Sequence, residues 1–473
     1  MNVRSMNQQE KVTYMLNEPV PHLVCQMAVP TIISMLVTSF YNMVDTFFVG
    51  KINTQATAAV GVVFSVMALI QACGFFFGHG SGNFISRKLG AGEFEEANRM
   101  ASTGFFSAFL TGILLGALGL IFLTPLAGAL GSTPTILPYT KDYLRIILIG
   151  CPFMMSSFVL NNQLRFQGSA SYAMVGIVTG AVLNIVLDPI LIFSCGMGVA
   201  GAALATVVSQ VVSFGVLYLM SRRGGNIRVR LKDFTPSFFL YKEIFRGGIP
   251  SLCRQGLASI AQICLNRSAG FFGGELSDAA IAAMSIVSRI TMFANSALIG
   301  FGQGFQPVCG MNYGAKKYVR VREAFWFCVK YAAVFLTVIS AAGFLFAGPL
   351  VTLFRKEDLD VIRIGTLALR LQCVVFPLNA WIVMCNMMLQ SIGKAAKASI
   401  VAAARQGIFF IPLIWILPLF FDLLGVQMCQ TWSDICTMLL SVPLGIGVLR
   451  EMKQMEEQMQ TEKQEQTEEQ EQA

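Results

Sequence analysis

The sequence predicts an all-α polytopic membrane protein with twelve transmembrane helices arranged as two six-helix repeats. Of its 473 residues, 55% are hydrophobic and only 13% are charged, whereas a typical soluble domain has about 25% charged residues. The apolar stretches have about the 20 residues that a helix needs to cross a bilayer. They lack the alternating pattern of a transmembrane β-barrel, so helices are expected throughout.

Twelve apolar segments follow one another along the chain. Their expected starts lie near Val24, Thr57, Ala97, Pro138, Tyr172, Val199, Gly248, Ala279, Ala324, Ile362, Ala398 and Val426. The first apolar segment runs directly into the rest of the chain, so no cleavable signal peptide is expected. Residues 451–473 are mostly Glu, Gln and Lys, and this polar tail is expected to be disordered or a fraying helix.

Basic residues predict the orientation of the chain, because cytoplasmic loops retain Lys and Arg. They cluster in alternate loops, at Arg87, Lys88 and Arg99, at Arg222, Arg223, Arg228, Arg230 and Lys232, at Lys316, Lys317, Arg320 and Arg322, and at Lys394 and Lys397. Both termini are therefore expected in the cytoplasm, and the protein in the cell (inner or plasma) membrane. The net charge of +8 then mainly reflects the basic loops that set the orientation in the membrane, and no nucleic-acid partner is expected.

The two halves of the chain share a pattern that indicates a duplication. Gly78, Gly80, Gly90 and Ala91 recur in the same order as Gly302, Gly304, Gly314 and Ala315, and Pro30, Pro152 and Gly168 as Pro250, Pro377 and Gly393. Small residues also match by chance in apolar sequence, but the shared order argues against that explanation. Two repeats of six helices enter the membrane in the same sense and enclose a central cavity.

The duplication predicts four regions. They are an amino-terminal lobe (residues 1–221), a cytoplasmic linker (222–247), a carboxyl-terminal lobe (248–450) and the polar tail (451–473). The linker includes FTPSFFLYKEIF, which is expected to lie along the membrane interface as an amphipathic helix.

Intramembrane carboxylates are the candidates for chemistry, since a charge in lipid must find partners, line an aqueous cavity or hold a proton. Asp45 lies in an uncharged run from Pro30 to Gly50, and Asn184 and Asp188 share one face of the fifth helix. Helix directions place both aspartates in the outer half of the bilayer, with Thr206 at a similar depth. Such a pair can carry a proton, or hold Na⁺ when both groups are ionised. Alternatively, Asp188 is an interfacial residue at the end of a short helix.

Pro30 and Arg289 each have two readings, and Asn266 is a further candidate. Pro30 either produces a static kink in the first helix or marks the place where its bend changes. Arg289 either neutralises a carboxylate of the other lobe or extends to the interface. Asn266 and Arg289 are the candidates for polar residues of a cavity in the carboxyl-terminal lobe.

The combined features resemble the multidrug and toxic compound extrusion (MATE) family over nearly the whole chain. They are the twelve helices in two repeats, Pro30 and Asp45 in the first helix, the glycine-rich run before RKLGAG, its counterpart at YGAKK, and the NxxxD of the fifth helix. Within that family the sequence is most similar to the prokaryotic DinF-like branch. The stretch after Pro250 lacks the glutamate that another branch uses, which argues against a coupling site in that lobe.

The resemblance implies a secondary antiporter that exports amphipathic or cationic organic compounds in exchange for H⁺ or Na⁺. Its ion-coupling residues would be Asp45, Asn184, Asp188 and Thr206, which would also hold any Na⁺, and its supporting polar residues Tyr143 and Asn161. No other cofactor is expected, and the partners are small organic cations or drugs and the lipid bilayer, with the chain a monomer.

The alternative is a flippase or exporter of a lipid-linked or metabolite cargo in the same superfamily. Central arginines in both lobes would favour that function, whereas the first lobe of this sequence is acidic instead. An enzyme is not expected, because the two histidines and the scattered cysteines provide no catalytic or metal-binding cluster. The sequence also contains no Walker A motif of an ATP-driven pump.

Overall fold

The computed structural model describes residues 6–354 and 358–472, which form helices and connecting turns without any strand. The α-helices are α1 (Gln8–Asn17), α2 (Val20–Gly50), α3 (Thr54–Gly90), α4 (Phe94–Ile121), α5 (Leu123–Ala129), α6 (Leu137–Phe166), α7 (Ala170–Pro189), α8 (Gly198–Ser221), α9 (Phe238–Phe272), α10 (Ser277–Gly314), α11 (Tyr318–Leu345), α12 (Ala347–Phe354), α13 (Leu359–Val375), α14 (Asn379–Ser391), α15 (Ala395–Ala403), α16 (Phe410–Ile416) and α17 (Pro418–Gln472). Two π-helical segments extend α7 and join α15 to α16, at Ile190–Ser194 and Ala404–Ile408.

Twelve spans result, six in each lobe, as the sequence predicts. They are α2, α3, α4, α6, α7 and α8 in the first lobe, and α9, α10, α11, α13–α14, α15–α16 and α17 in the second. In the described part of the chain, eleven are long and apolar enough to cross a membrane. The twelfth, α9, has 35 residues but is more polar, since it carries Arg254, Gln262, Asn266 and Arg267. A polar membrane helix is stable where it faces a cavity or other protein.

The start of α9 differs from the sequence-based expectation. Its first residue is Phe238, well before Gly248, and Ser237 caps it by accepting a hydrogen bond from the Leu240 amide at 3.3 Å. The segment FTPSFFLYKEIF therefore mostly forms the first turns of a spanning helix and does not lie separately along the interface. The Ser237 cap starts the helix early, and the helix then continues through Gly247, Gly248 and Pro250.

The polar tail forms the end of α17, which remains helical through Gln472, in agreement with the helical one of the two expectations. Its Glu, Gln and Lys residues are good helix formers. Lys453 and Glu457 form an i,i+4 ion pair at 3.7 Å, which supports the helix modestly.

The backbone repeats the duplication seen in the sequence. The turn after α3 has a positive φ of 79° at Gly92, and the turn after α10 has one of 57° at Lys316. The turns after α6 and α14 have φ values of 80° at Gly168 and 84° at Gly393. Lys316 keeps a conformation that favours glycine, so the second lobe preserves this turn without its glycine.

The two lobes pack most closely at one end, which we call the basic face because the clustered Lys and Arg loops lie there. The largest buried cluster contains residues of both lobes, among them Met27 and Leu89 from the first and Met311 and Met388 from the second. The other two large clusters belong to single lobes. The lobes therefore diverge towards the opposite face.

Glycines bring the lobe backbones into contact at the basic face. A Cβ added to Gly90 of α3 would lie 1.9 Å from the Met311 carbonyl oxygen, and one added to Gly314 of α10 would lie 1.9 Å from the Arg87 carbonyl oxygen. Neither position tolerates a side chain in this arrangement. These are the glycines that the repeated motif of the sequence aligns.

Helix α1 ties both lobes together across the basic face. The Lys11 ammonium group donates hydrogen bonds to Ser169 and to Asn226 Oδ1, both in the amino-terminal half of the chain. At the other end of α1, Lys317 of the second lobe donates to the Leu16 carbonyl oxygen at 2.9 Å. Separation of the lobes at this face must therefore release one end of α1.

Candidate functional site

The two predicted aspartates meet inside the first lobe, where α2 packs against α7. Asp188 is fully buried and Asp45 is half-buried, and their carboxyl groups are close enough to share a hydrogen bond. Asn184 lies one turn before Asp188 on α7 and donates from Nδ2 to Asp188 Oδ1 at 3.3 Å. The i,i+4 spacing therefore places an amide beside one carboxylate of the pair.

Hydroxyl groups surround the carboxylate pair. Tyr143 of α6 is fully buried; its hydroxyl donates to the Met67 Sδ atom at 3.8 Å and lies near Thr206 of α8 and near both aspartates. Tyr41, one turn before Asp45, also lies near both carboxylates. Sequence reasoning missed Tyr41, although its i−4 spacing from Asp45 was a usable signal.

Three oxygen atoms of this site remain available for a ligand. Asp45 Oδ1, Asn184 Oδ1 and Asp188 Oδ2 are buried and accept no hydrogen bond from a described donor. A buried carboxylate without a partner is unfavourable, and two adjacent carboxylates repel each other unless a proton or cation lies between them. Carboxylate, amide and hydroxyl oxygens suit H⁺ or a hard cation such as Na⁺.

Asn161 is separate from this group. Its Nδ2 donates to the Ala173 carbonyl oxygen at 3.2 Å and so ties α6 to the start of α7. Asn386 makes the equivalent bond to Ala398 in the second lobe at 2.7 Å. Both halves contain this contact, so it serves the packing of each repeat rather than the carboxylate pair.

The candidates in the second lobe do not meet the aspartates either. Arg289 is exposed on α10, and no ion pair to a described carboxylate involves it. Asn266 accepts a hydrogen bond from Gln262 of the same helix at 3.1 Å. The expectation that Arg289 neutralises a carboxylate of the other lobe is therefore wrong in this conformation.

Pro30 lies at the contact between α2 and the second lobe. A Cβ on Gly304 of α10 would be 2.4 Å from the Ala28 Cα atom, and one on Gly300 would be 2.7 Å from the Ile32 Cα atom. Pro30 lies between these two close approaches, where it removes one helical hydrogen bond. Any change in the bend of α2 would therefore alter the contact between the lobes.

Two buried polar groups were not recognised from the sequence. One surrounds Arg165 at the end of α6, where the sequence shows only a basic residue near a loop. The other is the ion pair between Arg405 Nε and Asp434 Oδ1 at 2.8 Å in the second lobe. Asn379 adds a hydrogen bond to Asp434 Oδ2 at 3.1 Å, so this carboxylate is already neutralised and hydrogen-bonded.

Comparison with known proteins gives consistent results. The sequence model of the MatE family matches residues 30–190 and 256–416. The multidrug export protein MepA of Staphylococcus haemolyticus (strain JCSC1435) is 28% identical over 420 residues, which cover 88% of this chain and 91% of that protein. MepA of Staphylococcus aureus (strain MSSA476) has the same identity and coverage.

Solved structures show the same fold. A MATE protein crystallised in complex with MaL6 superposes with a TM-score of 0.88 at 28% identity, over 93% of this chain and 99% of that one. An outward-facing multidrug resistance MATE family transporter of the MOP superfamily has a TM-score of 0.87 at 28% identity, over 93% and 98% of the two chains. The two family segments cover more than half of the sequence, and the chain therefore belongs to the MatE family.

Proposed function

We propose that this protein is a secondary antiporter of the cell membrane that exports amphipathic or cationic organic compounds in exchange for H⁺ or Na⁺. The observation that carries the proposal is the buried Asp45–Asp188 pair with its unpartnered oxygen atoms. The multidrug export proteins to which the chain is similar support the substrate class. The basic face would lie in the cytoplasm by the positive-inside rule.

Helix α2 provides the physical link between the ion site and the lobe contact. Towards one end it carries Asp45, and around Pro30 it packs against α10 through Ala28 and Ile32. Thr31 adds a hydrogen bond from Oγ1 to the Gly300 carbonyl oxygen at 2.6 Å. A change in the charge of the aspartate pair would change how α2 packs on α7, and the rigid helix would transmit that change to the contact with the second lobe.

Alternating access follows from this link. In the present conformation the lobes are closed at the basic face and diverge at the other, as expected for an outward-facing state. Ion binding at the aspartates and substrate binding in the cavity would stabilise different conformations, and their competition would couple the two fluxes.

The test is gradient-driven transport of ethidium in proteoliposomes of uniform orientation, with a pH gradient or a Na⁺ gradient imposed separately. Asp45→Asn and Asp188→Asn should each lower transport at least tenfold while the purified proteins keep their melting temperature. Asp142→Asn makes the same chemical change at an exposed residue of α6 and should leave transport within twofold. The gradient that drives the wild type identifies the ion, and normal transport by both site variants would refute the proposed coupling site.

A further inference from the structure

A second polar group lies at the junction of the lobes, on the basic side of the molecule. We propose that Arg165 and Arg254, with His79, bind the anionic group of amphiphilic substrates, a carboxylate or a phosphate. This inference rests on the proposed export function and extends it to compounds of the opposite charge.

Arg165 is almost completely buried, with 1% of its surface exposed. Its guanidinium group donates to Gln303 Oε1 of α10 at 2.5 Å and to Asn162 Oδ1, and it lies 3.2 Å from His79 Nε2. All of these partners are neutral amides or an imidazole. Its Nε atom is buried and has no acceptor among the described residues, so one donor of a buried cation remains free for a ligand.

Arg254 brings a second positive charge from the other lobe. It is half-buried on α9 and donates to Asn386 Oδ1 at 3.4 Å. It lies close enough to interact electrostatically with both Arg165 and His79. Each lobe thus contributes one arginine, although the acidic residues of the first lobe argued against an anionic cargo from the sequence alone.

Among the described residues, Arg165 and Arg254 have no carboxylate partner, unlike other arginines of the protein. Arg87, Arg322 and Arg405 are also partly buried, and each has a carboxylate partner, at 3.2, 2.6 and 2.8 Å. Within the described residues, no carboxylate lies within 4.0 Å of Arg165 or Arg254. Two cations in the same low-dielectric region repel each other, and an anion bound near both would reduce that cost.

Substrate would reach this group from the basic face. The Arg165–Gln303 hydrogen bond joins α6 of the first lobe to α10 of the second, so opening this face must break it. Both guanidinium groups would then face the cavity. Phe75 stacks on His79 with ring centroids 5.1 Å apart, and the Phe166 ring is 5.9 Å away, so an apolar wall for the body of an amphiphile adjoins the charges.

The test compares dyes of opposite charge that share a xanthene core, carboxyfluorescein and a cationic rhodamine, in the same proteoliposome assay. We expect Arg254→Gln to lower carboxyfluorescein transport at least tenfold and to leave rhodamine transport within threefold. Arg254→Lys should keep most anion transport. Arg267→Gln, at an exposed position of the same helix, should resemble the wild type.

A second arm distinguishes soluble anions from lipids. Movement of fluorescently labelled phosphatidylglycerol between leaflets, measured by dithionite quenching, should depend on Arg254 if the phosphate belongs to a lipid. Wild-type protein that moves neither anion, or Arg254→Gln that impairs anion and cation equally, would overturn the inference. The loss of rhodamine transport in Asp45→Asn tests the antiporter proposal by itself. The antiporter proposal and the anion-site proposal can therefore be refuted independently of each other.

A binding measurement keeps the inference testable even if Arg254→Gln does not fold. Carboxyfluorescein bound to the wild-type protein in detergent should show raised fluorescence anisotropy. Dodecyl phosphate should displace it at least tenfold more effectively than dodecyltrimethylammonium, which has the same alkyl chain and the opposite charge. Equal displacement by both amphiphiles would contradict an anion site.

Discussion

Replacement of Gly314 by alanine should open the basic face, because this glycine lets α10 touch the backbone of α3. The added Cβ would lie 1.9 Å from the Arg87 carbonyl oxygen. Cβ atoms essentially never approach another heavy atom within 3.0 Å, so the helices must separate by about 1.1 Å. The obstructing atom belongs to the backbone and cannot move away by a change of rotamer.

The size of the effect follows from this overlap. Overpacking of a close contact costs about 1–3 kcal/mol, and every 1.4 kcal/mol changes an equilibrium about tenfold. Gly314→Ala should therefore shift the equilibrium towards the state open at the basic face by roughly 5-fold to 150-fold. The gain in helix propensity from glycine to alanine, about 1 kcal/mol, acts within α10 in both states and cancels.

Cys309 provides a native reporter of this opening. It is completely buried on α10 beside the lobe contact, so its reaction with N-ethylmaleimide requires separation of the lobes. Mass spectrometry of its peptide measures the labelling rate in the presence of the other cysteines. Gly61→Ala is the matched control, because a Cβ on this residue of α3 would have no heavy atom within 4 Å.

We expect at least fivefold faster labelling of Cys309 in Gly314→Ala than in the wild type, and an unchanged rate in Gly61→Ala. Gly90→Ala, which meets the Met311 carbonyl oxygen at 1.9 Å, should behave like Gly314→Ala. Equal labelling of Cys309 in all four proteins would refute the argument that these glycines hold the closed state.

Two further predictions concern buried charges. Burial lowers the pKa of Lys11 from 10.5 to about 7, so between these pH values α1 binds fewer protons when packed on the protein than when released from it. The packing of α1 is therefore more stable at higher pH, by at most about 1.4 kcal/mol per pH unit. The rate of proteolysis of α1, divided by the rate in Lys11→Met at the same pH, should therefore fall from pH 7 to 9. A ratio that stays constant over this range would contradict the prediction. Arg405→Gln leaves the Asp434 carboxylate buried without its cation and should destabilise the protein by about 3–5 kcal/mol. Tryptophan-monitored unfolding should show that adding Asp434→Asn restores most of the loss, and a double variant as unstable as the single one would exclude the ion pair as the cause.

Local patterns in the sequence determined the number of spans, their approximate starts and the duplication. Apolar length and glycine order depend only on neighbours along the chain, and the structure contains the same helices and the same turns at Gly168 and Gly393. The proximity of Asp45 and Asp188 also followed from helix direction and from distance along each axis. Depth in the membrane gave the shared level of the two aspartates, and the packing of α2 against α7 makes them neighbours.

Only the tertiary structure decided which charges have partners. Arg165 bonds to Gln303 of the other lobe, Arg405 pairs with Asp434, and Arg289 remains exposed, although all three are single basic residues in or at the end of apolar segments. The difference depends on the rotation of each helix about its axis and on how closely the lobes approach. The sequence therefore determined which helices exist and which of them carry acids, while helix packing decided where the two lobes touch and which cations lie at that contact.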